Sequence, residues 1–162
     1  GCLLELRQVL RRIDGHADAA TGALDWPALD RLVEWHIAEG TNANTFKTTN
    51  TLTFTNNGVF KSKSATDNLT FSTGTALAAS QACLFAVWIN TSGTITTTQG
   101  PIVAAGDPCP VPAQATANTT LVGLIKVTTS SSGTFTPGST DLSASGVTGA
   151  YYDCMVMPGS AL

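Results

Sequence analysis

Beyond Gly40 the chain contains no arginine, no histidine and no glutamate; 4 Lys and 4 Asp supply all the side-chain charge of residues 41–162. That scarcity excludes a good deal. A Ser or Cys nucleophile in this stretch would need its imidazole base from the first 40 residues, so catalysis is not expected. No basic block is available to track a phosphate backbone, so no nucleic-acid partner is expected. No apolar run approaches the roughly 18 residues of a membrane span. No basic stretch followed by an apolar core opens the chain, so a signal peptide is not expected. The four cysteines, Cys2, Cys83, Cys109 and Cys154, form no CxxC pair and have no histidine at zinc spacing. Neither a metal nor a cofactor is expected. Free thiols fit assembly in a reducing cytoplasm, with a Cys109–Cys154 bridge left open.

The charge that is present is gathered at one end. Residues 1–40 hold 11 of the 19 charged side chains and both histidines. A division follows: residues 1–40 as a helical anchoring or oligomerisation segment, residues 41–162 as a β domain in which threonine carries the polarity. Leu3, Leu6, Leu10 and Ile13 fall at spacings of three, four and three, the seam of a short helix. Under two heptads long, such a helix is marginal alone and needs a partner. A second helix opens at Asp25 as N-cap, with Pro27 in its first turn and Gly40 closing it. Leu29, Leu32, Val33, His36 and Ile37 form its apolar face. The interface candidates are therefore Leu3, Leu6, Leu10, Ile13, Leu29, Val33, His36 and Ile37. Around a threefold axis three His36 rings could face an ion; the simpler expectation is a half-buried histidine satisfied by a neighbour.

From Thr41 the period becomes two. Leu52 and Phe54 alternate with threonines, Asn56-Asn57-Gly58 is a hairpin signal, and residues 59–63 return. Ala65-Thr66-Asp67-Asn68 reads as a turn, after which Leu69 and Phe71 alternate again. Residues 82–89 are apolar without interruption, the mark of a strand covered on both faces. Cys83, Phe85, Val87 and Ile89 would point one way, Leu84, Ala86 and Trp88 the other. Asn90-Thr91-Ser92-Gly93 turns the chain into a return strand over residues 94–98. Residues 100–120, rich in Pro and Ala, read as a long ordered loop. Further strands are expected at 121–128, 134–136, 140–142 and 151–157. The expected fold is mainly β, a Thr-rich antiparallel β-sandwich or barrel preceded by a short N-terminal helical segment. Its core candidates are Leu52, Phe54, Phe71, Phe85, Val87, Ile89, Leu124 and Val127.

The four aspartates of the β domain mostly fall in turn sequences, where Asp bonds its own backbone. Asn68, Asn90 and Asn118 open glycosylation sequons, which a chain so rich in Ser and Thr produces by chance. Trp26, Trp35 and Trp88 lie on separate elements and form no aromatic platform.

Residues 21–43, TGALDWPALDRLVEWHIAEGTNA, are similar to the first helix region of the dihydrodipicolinate synthase and N-acetylneuraminate lyase family. That family's barrel needs about 250 residues, so the match implies a helix and no aldolase activity. Residues 3–6 resemble the start of a type IV pilin, but Arg7, Arg11 and Arg12 break the long apolar helix a pilin needs. A broader resemblance runs from Phe46 to Tyr152. It is carried by Ser62-Lys63-Ser64-Ala65-Thr66-Asp67-Asn68, by Ser92-Gly93-Thr94 after the apolar strand, by Val122-Gly123-Leu124-Ile125-Lys126-Val127, and by Thr134-Phe135-Thr136-Pro137-Gly138-Ser139-Thr140-Asp141-Leu142. These segments resemble a β domain of small virion proteins of tailed bacteriophages. The resemblance implies a structural role as a capsid decoration or head-fibre component. The expected partners are the chain itself, as a homotrimer, and the major capsid or other virion proteins, with localisation in the virion after assembly in the host cytoplasm. The alternative is a tail-fibre, receptor-binding or carbohydrate-binding module.

Overall fold

A ten-residue strand with no polar interruption has to be covered on both sides, and the structure is built outward from it. The computed structural model describes residues 36–154. Strand β6 (Gln81–Asn90) is buried at every interior position. On one side it pairs antiparallel with β9 (Thr119–Thr129) and on the other with β7 (Ile95–Gln99) and the two-residue β8 (Val103–Ala104); β10 (Val147–Asp153) extends the sheet beyond β9. A three-stranded sheet of β1 (Ile37–Glu39), β2 (Phe46–Thr48) and β5 (Thr66–Leu69) and a separate hairpin of β3 (Leu52–Asn56) and β4 (Val59–Lys63) complete the strands. The protein is mainly β, made of several antiparallel sheets, with no helix among the described residues.

The alternation read along β6 is present in the packing. Cys83, Phe85, Val87 and Ile89 belong to the main core, together with Ile125 and Val127 of β9. Ala82, Leu84, Ala86 and Trp88 are buried on the opposite face. The Pro-rich loop meets β6 at the strand's edge. The Gly100 N–H donates to the Leu84 carbonyl at 2.7 Å, and a Cβ at Gly100 would stand 2.9 Å from the Pro110 carbonyl oxygen. Only glycine lets the loop backbone come that close to the sheet.

The core is knit by phenylalanines. The Phe71 ring lies edge-on to Phe46 at 5.3 Å, to Phe85 at 4.9 Å and to Phe135 at 6.0 Å. T-shaped pairs of this kind add stability beyond the area they bury. Phe46 and Phe135 are wholly buried but absent from the core expected from sequence. Leu52, Phe54, Phe71, Phe85, Val87, Ile89 and Val127 are all buried. Leu124 is a correction: it is half-buried on the other face of β9, and Ile125 occupies the core position instead.

The second expected helix is corrected at its C-terminal end, since residues 37–39 form β1 and the β domain begins before Thr41. Tertiary contacts override the helical spacing. Ile37 is buried and seated over Gly123, where an added Cβ would lie 2.3 Å from Ile37 Cδ1. The Asp153 carboxylate accepts the His36 N–H at 2.6 Å and the Ile37 N–H at 3.2 Å. Four local readings also change. Residues 66–69 are strand β5 and not a turn. Phe135 makes a single bridge to Leu77. Residues 140–142 are not a strand. The last described strand starts at Val147. The two hairpins were legible: Asn57 (φ 51°) and Gly58 (φ 75°) form the two-residue turn between β3 and β4, and the Asn90 Oδ1 accepts the N–H groups of Ser92 and Thr94 at 2.9 Å each between β6 and β7.

Asp67, in β5, does more than close a turn. Its carboxylate accepts the Thr41 hydroxyl, the Thr41 N–H at 3.0 Å and the Asn68 N–H at 2.7 Å. Asn68 Oδ1 takes the Asn42 N–H at 2.9 Å. The Thr66-Asp67-Asn68 segment thus holds the loop between β1 and β2. These donors, the Thr41 hydroxyl first, hold the Asp67 carboxyl below its ordinary 3.8.

Two outcomes follow. Phe71→Ala should cost about 3–5 kcal/mol in urea unfolding; a loss below about 1 kcal/mol would contradict the role given to the ring. Because the folded Asp67 is the stronger acid, its clamp is complete above the ordinary carboxyl value and is lost as pH falls through the lower, folded value. The Thr41 and Asn68 amide resonances should therefore titrate with a midpoint below 3.8, and a midpoint above it would show that the clamp is not formed in solution.

Candidate functional site

His36 Nδ1 lies 3.5 Å from Asp153 Oδ2, close enough for an ion pair but long for a hydrogen bond. The same carboxylate is engaged by two backbone N–H groups, so its evident work is to fix the start of β1 on the end of β10. Glu39 accepts the Ser143 hydroxyl at 2.7 Å. Among the described residues no three His, Cys, Asp or Glu side chains are grouped so as to hold a metal ion. Cys83 is wholly buried and its thiol is pushed up to about 11 by burial, against the smaller opposing effect of the Gln99 amide. Cys109 is a free, half-buried thiol and makes no bridge to Cys154.

Of the expected interface residues, Leu3, Leu6, Leu10, Ile13, Leu29 and Val33 lie outside the described residues. Ile37 is a correction: it is a core side chain of the β domain and offers no surface to a partner. His36 is corrected likewise, from a helix face to the entry of β1, with Asp153 as its neighbour.

The surface points elsewhere. Phe60 is 80% exposed and Val59 56% exposed, both on β4. Leu52, Phe54 and Asn56 of β3 turn inward. The register pairs Thr55 with Phe60, which places the Phe60 ring on the outer face with the threonines. Among the described strands β4 pairs only with β3, and its Lys61 Nζ donates to the Thr91 carbonyl at 2.5 Å. On β7 the Thr97 hydroxyl accepts the Ser72 N–H at 2.9 Å, and the Gln99 side chain exchanges hydrogen bonds of 2.6 Å and 2.8 Å with the Thr75 backbone. The backbone of residues 72–75, held by the Thr97 and Gln99 side chains of β7 itself, thus covers the β7 edge, a common protection against unwanted strand pairing. Sequence reasoning missed Phe60, although the signal was there: a two-residue turn at Asn57-Gly58 fixes the register, and with Phe54 inward, Phe60 must face out.

Beside the same hairpin lies a cleft of about 260 Å3. One wall is Thr55, Asn56 and Asn57; the other is Gln114 with Asn118, Thr119 and Thr120. The walls are held together by the Thr120 hydroxyl on the Thr55 carbonyl at 2.8 Å and by Asn56 Nδ2 on the Asn118 carbonyl at 2.8 Å. No charged and no aromatic side chain lines it.

The thiol chemistry gives a direct check. At about pH 8, iodoacetamide should modify Cys109 in the folded protein and leave Cys83 untouched until denaturant is added, as read by mass spectrometry of the peptides. Modification of Cys83 at the rate of Cys109 would mean that the core around it opens freely.

No protein-family model, no curated protein and no solved structure matches the chain.

Proposed function

We propose that this chain is a structural protein of a tailed-phage particle, a capsid decoration or head-fibre component that works by packing against copies of itself and against capsid protein. The observation that carries the reading is the exposure of Val59 and Phe60 on β4, a strand that pairs with β3 alone among the described strands. Burying such side chains stabilises a contact by about 1.5–3 kcal/mol each. The resemblance of residues 46–152 to virion β domains supports the biological setting. So does the low charge of the body, which suits a surface largely covered in an assembly.

On this reading the β sheets pack as a two-layer sandwich around the phenylalanine core. The chain forms a homotrimer, residues 1–35 with Leu3, Leu6, Leu10, Ile13, Leu29 and Val33 add the anchoring contact, and the protein performs no catalysis. The work is done by mass action: each subunit bound stabilises the shell or fibre it joins.

Light scattering of the full chain at micromolar concentration tests this. The protein should form a defined oligomer, and Phe60→Asp, a change at an exposed position, should weaken self-association by about 30-fold or more. A monomer, or an oligomer indifferent to both Phe60→Asp and Leu6→Asp, would overturn the packing claim.

A further inference from the structure

The turn that joins β3 to β4 carries the one Asn-Gly step in the sequence, Asn57-Gly58. Both residues are exposed and sit at positive φ, 51° and 75°. Neither the Asn57 side-chain amide nor the Gly58 N–H makes a hydrogen bond among the described residues. Nothing stands within 4 Å of the point a Cβ would occupy on Gly58. The Gly58 nitrogen is therefore open to solvent base and unshielded beside its neighbour's side chain.

The other asparagines are held, buried or followed by a bulkier residue. Asn56 is buried. Asn44 Nδ2 donates to the Gly138 carbonyl at 3.0 Å. Asn68 Oδ1 accepts the Asn42 N–H, and Asn90 Oδ1 accepts the N–H groups of Ser92 and Thr94. Asn118 is the informative comparison. It is exposed and at φ 59°, like Asn57, but the residue after it is Thr119, whose branched side chain crowds the nitrogen that would have to react.

We infer that Asn57-Gly58 is a site of self-modification, in which the Gly58 nitrogen closes onto the Asn57 side chain, converts it to aspartate and isoaspartate, and so loosens the hairpin. Solvent base takes the Gly58 amide proton, and the nitrogen attacks Asn57 Cγ. An N–Cγ bond forms, the Cγ–Nδ2 bond breaks, and the side-chain nitrogen leaves as ammonia. Water then opens the cyclic imide at either carbonyl, with no change of oxidation state. Opening at Cγ leaves aspartate on an intact main chain. Opening at the main-chain carbonyl leaves isoaspartate, with the chain routed through Cβ and Cγ and longer by one atom. That atom falls in a two-residue loop, whose length fixes the register of Asn56 with Val59 and of Thr55 with Phe60. Among the described strands β4 pairs with β3 alone, so this ladder is the strand pairing that places Phe60. The modification stands whether or not Phe60 packs against another copy.

The test is to hold the folded, full-length protein for weeks in mildly alkaline buffer and follow its peptides by mass spectrometry, with isoaspartate told from aspartate by fragmentation. Asn57 should convert at least about tenfold faster than Asn118 and yield both acids. Amides of residues 52–63 should exchange with solvent faster in the isoaspartyl fraction than in fresh protein. Asn57→Gly tolerates the same φ and should show no faster exchange after the same ageing. Three results would overturn the inference: conversion of Asn57 no faster than that of Asn118, aspartate formed without isoaspartate, or unchanged amide exchange in the isoaspartyl fraction.

Discussion

One ring holds this structure together. Phe71 lies in no strand, yet it touches Phe46 of β2, Phe85 of β6 and Phe135 of the loop that precedes β10. The three partners come from three parts of the chain that no hydrogen-bond ladder joins. The sheet containing β6 and the smaller sheet containing β2 share no strand, so their association depends on side-chain packing, with Ile37 over Gly123 and the Asp153 carboxylate at the start of β1 as local fasteners. Burial of large apolar rings is the main favourable contribution here.

A body with so little charge satisfies its polar groups with neutral ones. Thr129 illustrates this: its hydroxyl is buried, accepts the Gln81 N–H at 3.0 Å and donates to the Ala78 carbonyl at 2.6 Å. Thr97, Gln99, Asn90 and Asn68 do comparable work at edges and turns. Threonine thus serves twice, as a β-branched strand former and as a local capping group. Among the described residues, β4 pairs with β3 alone, and His36 Nδ1, Asn56 Oδ1 and Trp88 Nε1 are buried without a hydrogen-bond partner. The packing proposal rests on the first of these.

The parts of the fold legible in the sequence were those fixed locally. The unbroken apolar run of β6, its two-faced alternation, and the turns at Asn57-Gly58 and Asn90 to Gly93 follow from period and turn chemistry alone. The parts that were not legible depend on distant contacts. Ile37 and His36 carry a helical spacing, but Gly123 and Asp153, more than a hundred residues later for the latter, decide the outcome. Leu124 and Ile125 cannot be assigned to faces without knowing the bulge, where Val87 pairs with Gly123 and Trp88 with Leu121. Thr66-Asp67-Asn68 looks like a turn because its side chains bond to backbone, but the backbone they bond to is chiefly that of residues 41 and 42. As for the candidate sites, Phe60 could have been placed by register, whereas the cleft at Asn56 required the meeting of β3 with β9.

If the phenylalanine cluster joins the sheets into one unit, they must open together. Native-state hydrogen exchange measures this. The amides of β2 and those of the central strands β6 and β9 should exchange through the same global unfolding, with equal free energies and equal dependence on denaturant. Exchange of β2 at markedly lower free energy, with β6 and β9 still protected, would show that the smaller sheet detaches on its own and that the rings do not unite the fold.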